Sequence, residues 1–269
     1  MEDATAADAW DADSLAGNPH GRGDKARRVR SMFASIAGSY DLNNRVHALG
    51  MDQRWRDVAV AMAALTPGDR AVDVACGTGD LAIKLAEVLP PEARGGGPSV
   101  LGVDFTFPML PLAVGKAAGR AGRAGRGGRG GRAAFAAGDA LRLPLPDASA
   151  DAVTIAFGLR NVADPAAAFA EFARVLRPGG RLVVLEFVEP THPLIRLGNA
   201  LYTRGLMPLS ATLLSGDKSG AYRYLPRSVA TFLNTEGVAA LYRSCGFGGH
   251  RRRALNPGTV DCHAGTLGG

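Results

Sequence analysis

Long apolar runs are missing from this chain. Across 269 residues no stretch reaches the ~18 consecutive apolar residues of a membrane-spanning helix, although 46% of the residues are hydrophobic. The apolar content is therefore dispersed into amphipathic and strand-length segments, enough for one substantial core with appendages. Cysteine is scarce: Cys76, Cys245 and Cys262 show neither metal spacing nor a paired framework, which argues against a disulfide scaffold and for reduced thiols in a cytoplasmic protein. The first residues are acidic and polar rather than basic and then apolar, so no secretory signal is expected. No His/Cys/carboxylate cluster has ligand spacing, and no metal is expected.

Charge is present but localised. The net charge is +6, and five arginines (120, 123, 126, 129 and 132) fall in the glycine-rich stretch 119–132. That stretch lacks the aromatic residues that stack on bases, and its glycines oppose stable helix or strand. It reads as a disordered, solvated loop insertion, and no specific nucleic-acid partner is expected; weak attraction to anionic lipid is the alternative. Residues 1–25 have no periodicity and read as a disordered tail.

Elsewhere the patterning is regular. Val29, Met32, Phe33, Ile36 and Tyr40 fall on one helical face, and a second helix is predicted over 51–65 with Trp55, Val58, Ala59 and Met62 inward. Pro67-Gly68 then leads into Val72-Asp73-Val74-Ala75-Cys76-Gly77-Thr78-Gly79-Asp80 and a helical segment. This is a strand, a glycine turn and a helix start, the geometry that brings a ligand against backbone at a sheet's carboxyl edge. No Gly-Lys-Ser/Thr follows, which excludes a phosphate loop. The dinucleotide pattern wants a small residue at position 82, and Ala82 supplies one, so the turn alone is ambiguous.

The following segments decide it. Val100–Asp104 is a strand ending in an acid, where ribose hydroxyls are gripped in Rossmann-like sites. A strand over 133–137 ends in Gly138-Asp139-Ala140, another covers 151–157, and Arg177-Pro178-Gly179-Gly180 opens 181–186. Asp164-Pro165 supplies the cap and first turn of a helix over 166–176. In this order the motifs resemble the class I methyltransferases that bind S-adenosylmethionine, across about residues 66–190.

Three further segments narrow the resemblance: Tyr40-Asp41-Leu42-Asn43-Asn44 with Gly50, Arg54 and Trp55; Phe157-Gly158-Leu159-Arg160-Asn161-Val162; and Ser215-Gly216-Asp217 followed by Tyr222-Arg223-Tyr224-Leu225-Pro226-Arg227-Ser228. Together they resemble the quinone-biosynthesis C-methyltransferases that act on demethylmenaquinol and the related ubiquinone precursor, from about Val29 onward. The resemblance implies an α/β, Rossmann-like seven-stranded class I methyltransferase sheet with helices on both faces. Residues 26–66 would be N-terminal helices, 67–188 the cofactor-binding core, 189–226 an apolar helical lid over the substrate, and 227–269 a C-terminal helix and hairpin.

It also implies S-adenosyl-L-methionine as cofactor, contacted by Asp73, Gly77, Thr78, Gly79, Asp104, Asp139, Ala140 and Ala156. Asp104 would accept from both ribose hydroxyls, Asp139 from the adenine amino group, and Thr78 would reach the methionine end. Helix capping by Asp104 and an Asx turn at Asp139 are the structural alternatives. Arg160 and Asn161 would stabilise a developing phenolate, with Tyr222, Tyr224 or His192 relaying a proton; Arg160 paired to a carboxylate is the structural alternative. Departures from the family pattern stand at His47, Ala48, Asp52, Ala156 and Val188. A polyprenyl quinol substrate, peripheral contact with the inner face of the membrane and compatibility with a homodimer complete the expectation.

Overall fold

The computed structural model describes residues 10–90, 92–124, 133–201 and 219–269. At its centre is a seven-stranded sheet of strands β1 (Ala71–Val74), β2 (Val100–Asp104), β3 (Ala133–Ala137), β4 (Ala150–Ala156), β5 (Leu176–Phe187), β6 (Phe247–Leu255) and β7 (Val260–Leu267). Their spatial order is β3-β2-β1-β4-β5-β7-β6. The first five run parallel, and β7 inserts antiparallel between β5 and β6. β1 is buried at every position, as expected of a parallel strand covered on both faces. Asp73 is the exception in polarity. Its register partner on β4 is Thr154, whose hydroxyl donates to Asp73 Oδ1 at 2.8 Å.

Helices cover both faces. One core places α7 (Pro165–Val175) and a later helix, Thr235–Ser244, against β4 and β5, with Phe169, Phe172, Tyr242 and Phe247 buried. The opposite core packs α4 (Asp52–Ala63) and α5 (Asp80–Val88) through Trp55, Ala59, Leu81 and Leu85. Asp164 caps α7 by accepting from Ala166 N and Ala167 N, with Pro165 in the first turn. That is the cap expected from the sequence.

A third cluster corrects the expectation of a disordered tail. Trp10 is fully buried, packed with Val29, Met32, Ile36, Ala221 and Tyr224. Its ring stacks on Tyr224 at 4.5 Å. A short helix α1 (Ala12–Ala16), capped by Asp11, follows, then a 3-10 turn at Pro19–Gly21 and α2 (Lys25–Ile36). A single large aromatic ring anchors a segment that has no periodicity to announce it. Residues 1–9 lie outside the described residues.

The arginine–glycine stretch is corrected in part. α6 runs Met109–Ala124, so the helix continues through Gly119, and Arg120 pairs with Glu87 at 2.5 Å. Residues 125–132 lie outside the description. In the expected lid, α8 covers Pro193–Leu201 and α9 covers Ala221–Thr231, while 202–218, including Ser215-Gly216-Asp217, lie outside the described residues. Pro226 sits inside α9, so this helix crosses the boundary expected at 226 between the lid and the C-terminal helix. The remaining helices are α3 (Tyr40–His47) and α10 (Thr235–Ser244).

Candidate active site

Strand order reverses between β1 and β4, the position where open α/β sheets bind ligands outside their carboxyl ends. A cleft opens there, lined by Ala75 and Gly77 after β1, Asp104–Thr106 after β2, Gly138–Ala140 after β3, and Ala156–Gly158 after β4. The chain turns sharply on both sides of the reversal. Ala75 and Phe157 both adopt positive φ, +51° and +57°, a conformation that costs non-glycine residues and concentrates at functional sites. At Gly158 an added Cβ would meet Ala75 Cβ at 2.6 Å, so the two turns can only close against glycine.

Small residues and an acid define this cleft. Asp104 is buried; its Oδ2 accepts from Gly77 N at 2.7 Å and its Oδ1 from Thr106 N at 2.7 Å. A carboxylate has about four acceptor sites, so Asp104 keeps capacity for a ligand hydroxyl beyond these two bonds. Burial raises the Asp104 pKa while the two backbone N–H groups oppose the shift. Asp139 Oδ1 accepts from Leu141 N at 2.9 Å, an Asx turn, and both Asp139 and Ala140 line the cleft. The glycine and alanine walls form a cradle that larger side chains would fill, beside a carboxylate with spare acceptors. These residues fit a nucleoside-bearing cofactor.

Three expected cofactor contacts face elsewhere. Thr78 is buried, donating to Asp41 Oδ1 at 2.6 Å and accepting from Lys116 Nζ at 3.0 Å. Lys116 also binds Asp41 at 2.6 Å and Asp80 at 2.7 Å. Thr78 therefore ties α3 to the glycine turn. Gly79 is a packing glycine: its φ is +83°, and a Cβ there would lie 2.9 Å from the Phe135 ring. Asp73 is fully buried behind the turn, where desolvation raises its pKa to about 7. Its Oδ2 has no hydrogen-bond partner among the described residues.

A larger cavity of about 710 Å³ adjoins the cleft, within the rough size range of small-molecule sites. Phe33, Tyr40 and Phe157 line both spaces. Its walls come from α2, α3, α4, α8, α9 and the loops after β4 and β5, and are mostly apolar and aromatic. Trp55, Phe157 and Phe187 form one aromatic wall, with Phe157 and Phe187 centroids 4.6 Å apart. Arg160, on the 3-10 turn Leu159–Asn161, lines this cavity. It pairs with Glu186 at 2.6 Å, donates to Phe157 O at 2.6 Å, and lies 5.4 Å from the Phe187 ring centre. The carboxylate pairing and the cavity position thus occur together. Its Nε has no hydrogen-bond partner among the described residues.

Asn161 lines the cleft, and its Oδ1 accepts from the Tyr224 hydroxyl at 2.9 Å. Burial raises the Tyr224 pKa, which opposes loss of its proton. Tyr224 thus joins α9 to the cleft instead of offering a ready base. The side chain of Tyr222 lies outside the described residues, and His192 is exposed. Sequence reasoning missed Lys25, which is 2% exposed and donates to Val162 O at 2.5 Å. Desolvation, with the charge of Arg160, lowers its pKa to about 8. It also missed the buried Asp52–Arg56 pair at 2.7 Å and the Glu186 partner of Arg160; helical spacing of 52 and 56 was the available signal.

This arrangement, a switch-point cleft joined to an aromatic cavity, sits on the fold of class I methyltransferases. A SAM-dependent methyltransferase of Thermotoga maritima superposes with a TM-score of 0.58 at 20% identity, covering 88% of this chain and 99% of that one. The family follows from sequence: the ubiE/COQ5 methyltransferase family model matches residues 22–267, and the chain belongs to that family. A demethylmenaquinone methyltransferase of Deinococcus radiodurans is 46% identical over 242 residues, 90% of this chain and 93% of the relative. A ubiquinone/menaquinone biosynthesis C-methyltransferase UbiE of Geobacter sulfurreducens is 38% identical over 245 residues, 91% and 90% of the two chains.

Proposed function

We propose that this protein methylates a ring carbon of a polyprenyl quinol, converting demethylmenaquinol to menaquinol, with S-adenosylmethionine as methyl donor. The observation that carries this reading is the junction: Phe33, Tyr40 and Phe157 line both the cofactor cleft and the aromatic cavity. Two ligands seated in these spaces meet at the wall that, among the described residues, both spaces share. Relatives named for both quinone pathways support the ubiquinone precursor as a second substrate reading.

S-adenosylmethionine, when bound, supplies an electrophilic methyl group. Asp104, Asp139, Ala140 and the small residues Ala75, Gly77 and Ala156 hold the cofactor and leave it room. Arg160 acts on the acceptor ring. A phenolic carbon is a weak nucleophile until the neighbouring hydroxyl loses its proton to water, and a buried guanidinium favours the resulting oxyanion. Once the ring carbon has taken the methyl group, the hydrogen it carried leaves as a proton and the ring regains aromaticity. Glu186 fixes that guanidinium, and the adjacent Lys25 adds positive potential. Tyr40, Phe33 and Phe157 exclude water from the junction, and Asn161, held by Tyr224, positions the turn that carries Arg160. No residue of the chain is covalently attached at any stage.

The tail of the substrate accounts for the outer rim. Leu42, Val46 and Leu49 of α3 and its following turn, and Leu194, Leu197 and Leu201 of α8, are exposed, and Leu49 and Leu197 reach the cavity wall. Exposed Arg45 and Arg196 stand among them. These stripes suit shallow contact with an anionic membrane surface, and no helix among the described residues is long and apolar enough to cross a membrane. Turnover of short-chain demethylmenaquinol and of the demethylated ubiquinol precursor tests the assignment. We expect higher kcat/KM for demethylmenaquinol; no turnover of either overturns it.

A further inference from the structure

Arg160, Arg56 and Asp52 line the larger cavity, each arginine in a buried carboxylate pair, and the proposed reaction as described uses only one pair. Arg160–Glu186 closes at 2.6 Å and Arg56–Asp52 at 2.7 Å. The aromatic wall lies between them: Arg160 stands 5.4 Å from the Phe187 ring centre and Arg56 stands 5.6 Å from that of Phe157. Buried ion pairs rarely stabilise a fold better than apolar residues of the same size. Two of them at one aromatic wall call for a ligand with two polar ends.

The second pair is also unevenly satisfied. Asp52 Oδ2 accepts from Arg56 Nη1 at 2.7 Å and from Gln53 Nε2 at 2.9 Å. Oδ1 is buried without a hydrogen-bond partner among the described residues and forms a long ion pair with Arg45 Nε at 3.7 Å. Among the described residues, the hydrogen bonds of Arg56 all run through Nη1, to the carbonyl and carboxylate of Asp52. Asp52 Oδ1 is enclosed by protein, whereas Arg56, a lining residue of the cavity, keeps guanidinium N–H groups beyond Nη1. A guanidinium held by its carboxylate through one nitrogen keeps donors for a ligand oxygen.

We propose that Asp52 and Arg56 form a second oxygen-binding post, which recognises the hydroxyl of a para-dihydroxy aromatic ring that is remote from the reacting carbon. The inference rests on the quinol reading above. The hydroxyl oxygen accepts from the Arg56 guanidinium, which Asp52 holds through Nη1. The post thus sets which ring carbon faces the cleft. Arg160 takes the oxygen beside the reacting carbon.

The test compares two substrates under anaerobic reducing conditions: a short-chain demethylmenaquinol, and its analogue with hydrogen in place of the remote hydroxyl. Electronic differences between the rings cancel when each variant is divided by the wild type. Asp52→Asn and Arg56→Gln should each lower kcat/KM for the quinol tenfold or more and for the analogue less than threefold, with cofactor affinity unchanged. Equal losses on both substrates overturn the second post while leaving the quinol reading intact. Absence of wild-type turnover on the quinol overturns both. Competition on the wild type needs no folded variant: 1,4-dihydroxynaphthalene should inhibit at least tenfold more tightly than 1-naphthol, and equal inhibition overturns the post.

Discussion

The two halves of the site are built differently. The cleft proposed for the cofactor is built mainly from short segments at the ends of strands, with Ala75, Gly77, Asp104, Asp139 and Ala156 among them, and is closed by Val29, Phe33 and Tyr40. The neighbouring cavity is made of side chains from five helices and from loops, spread from Met32 to Thr259. A cleft shaped by turns is fixed by local sequence, because each turn needs particular residues to close. A cavity shaped by packing depends on where distant elements arrive. Changes in the cleft should therefore affect cofactor binding and folding, whereas changes in the cavity should affect turnover and substrate preference.

The sharpest break between the halves is expected at Arg160. Arg160→Ala should lower kcat by about 10²–10³, the cost of removing one preorganised charge-stabilising donor, while calorimetric affinity for the cofactor stays within twofold. Loss of cofactor binding in a folded variant would merge the two halves. Next comes Gly79→Ala, which combines a positive φ with a Cβ 2.9 Å from Phe135; left-handed strain and overpacking together predict a loss of about 3 kcal/mol in urea unfolding. Wild-type stability would show that the turn yields easily.

Asp104→Ala should weaken cofactor binding by about 1.5–3 kcal/mol, as for hydrogen bonds to a charged group, with the quinol KM little changed. Asp73 gives a pH signature. Its folded pKa is raised to about 7 from the ordinary 3.8, so the folded state holds the proton more tightly than the unfolded one. That contribution is fully present below about pH 4 and is lost as pH rises through 7. Asp73→Asn should flatten this decline in stability between pH 4 and 7, measured by urea midpoints; an unchanged slope would remove Asp73 as its source. The smallest effect belongs to the rim: Leu197→Ser should raise the apparent KM about threefold for long-tailed quinols on vesicles and leave a tail-less analogue unaffected.

The same contrast explains what could be read from the residues alone. β2 and β3 fall where their apolar runs predict, and Asp104 and Gly77 meet at the cleft because strand, acid and glycine turn are contiguous signals. Thr78 sits in the same motif, yet its hydroxyl goes to Asp41 and Lys116, 37 and 38 residues away, and nothing local announces that. Trp10 carries no periodic neighbours, so its docking on Tyr224 becomes visible only once α9 is in place. The boundary expected at 226 falls inside α9. Lys25 and Glu186 acquire their roles from converging on Arg160, and the pairing of Asp52 with Arg56 matters because both face one cavity.

The central claim is that the cleft and the cavity work as one site in which a quinol carbon receives the methyl group. It is tested most directly by incubating the protein with cofactor carrying a ¹³C-methyl group and reduced demethylmenaquinol, extracting the lipid, and locating the label by NMR. A labelled methyl on the ring carbon is the predicted result. Label on a phenolic oxygen, or none in the lipid fraction with an intact, cofactor-binding protein, would contradict it.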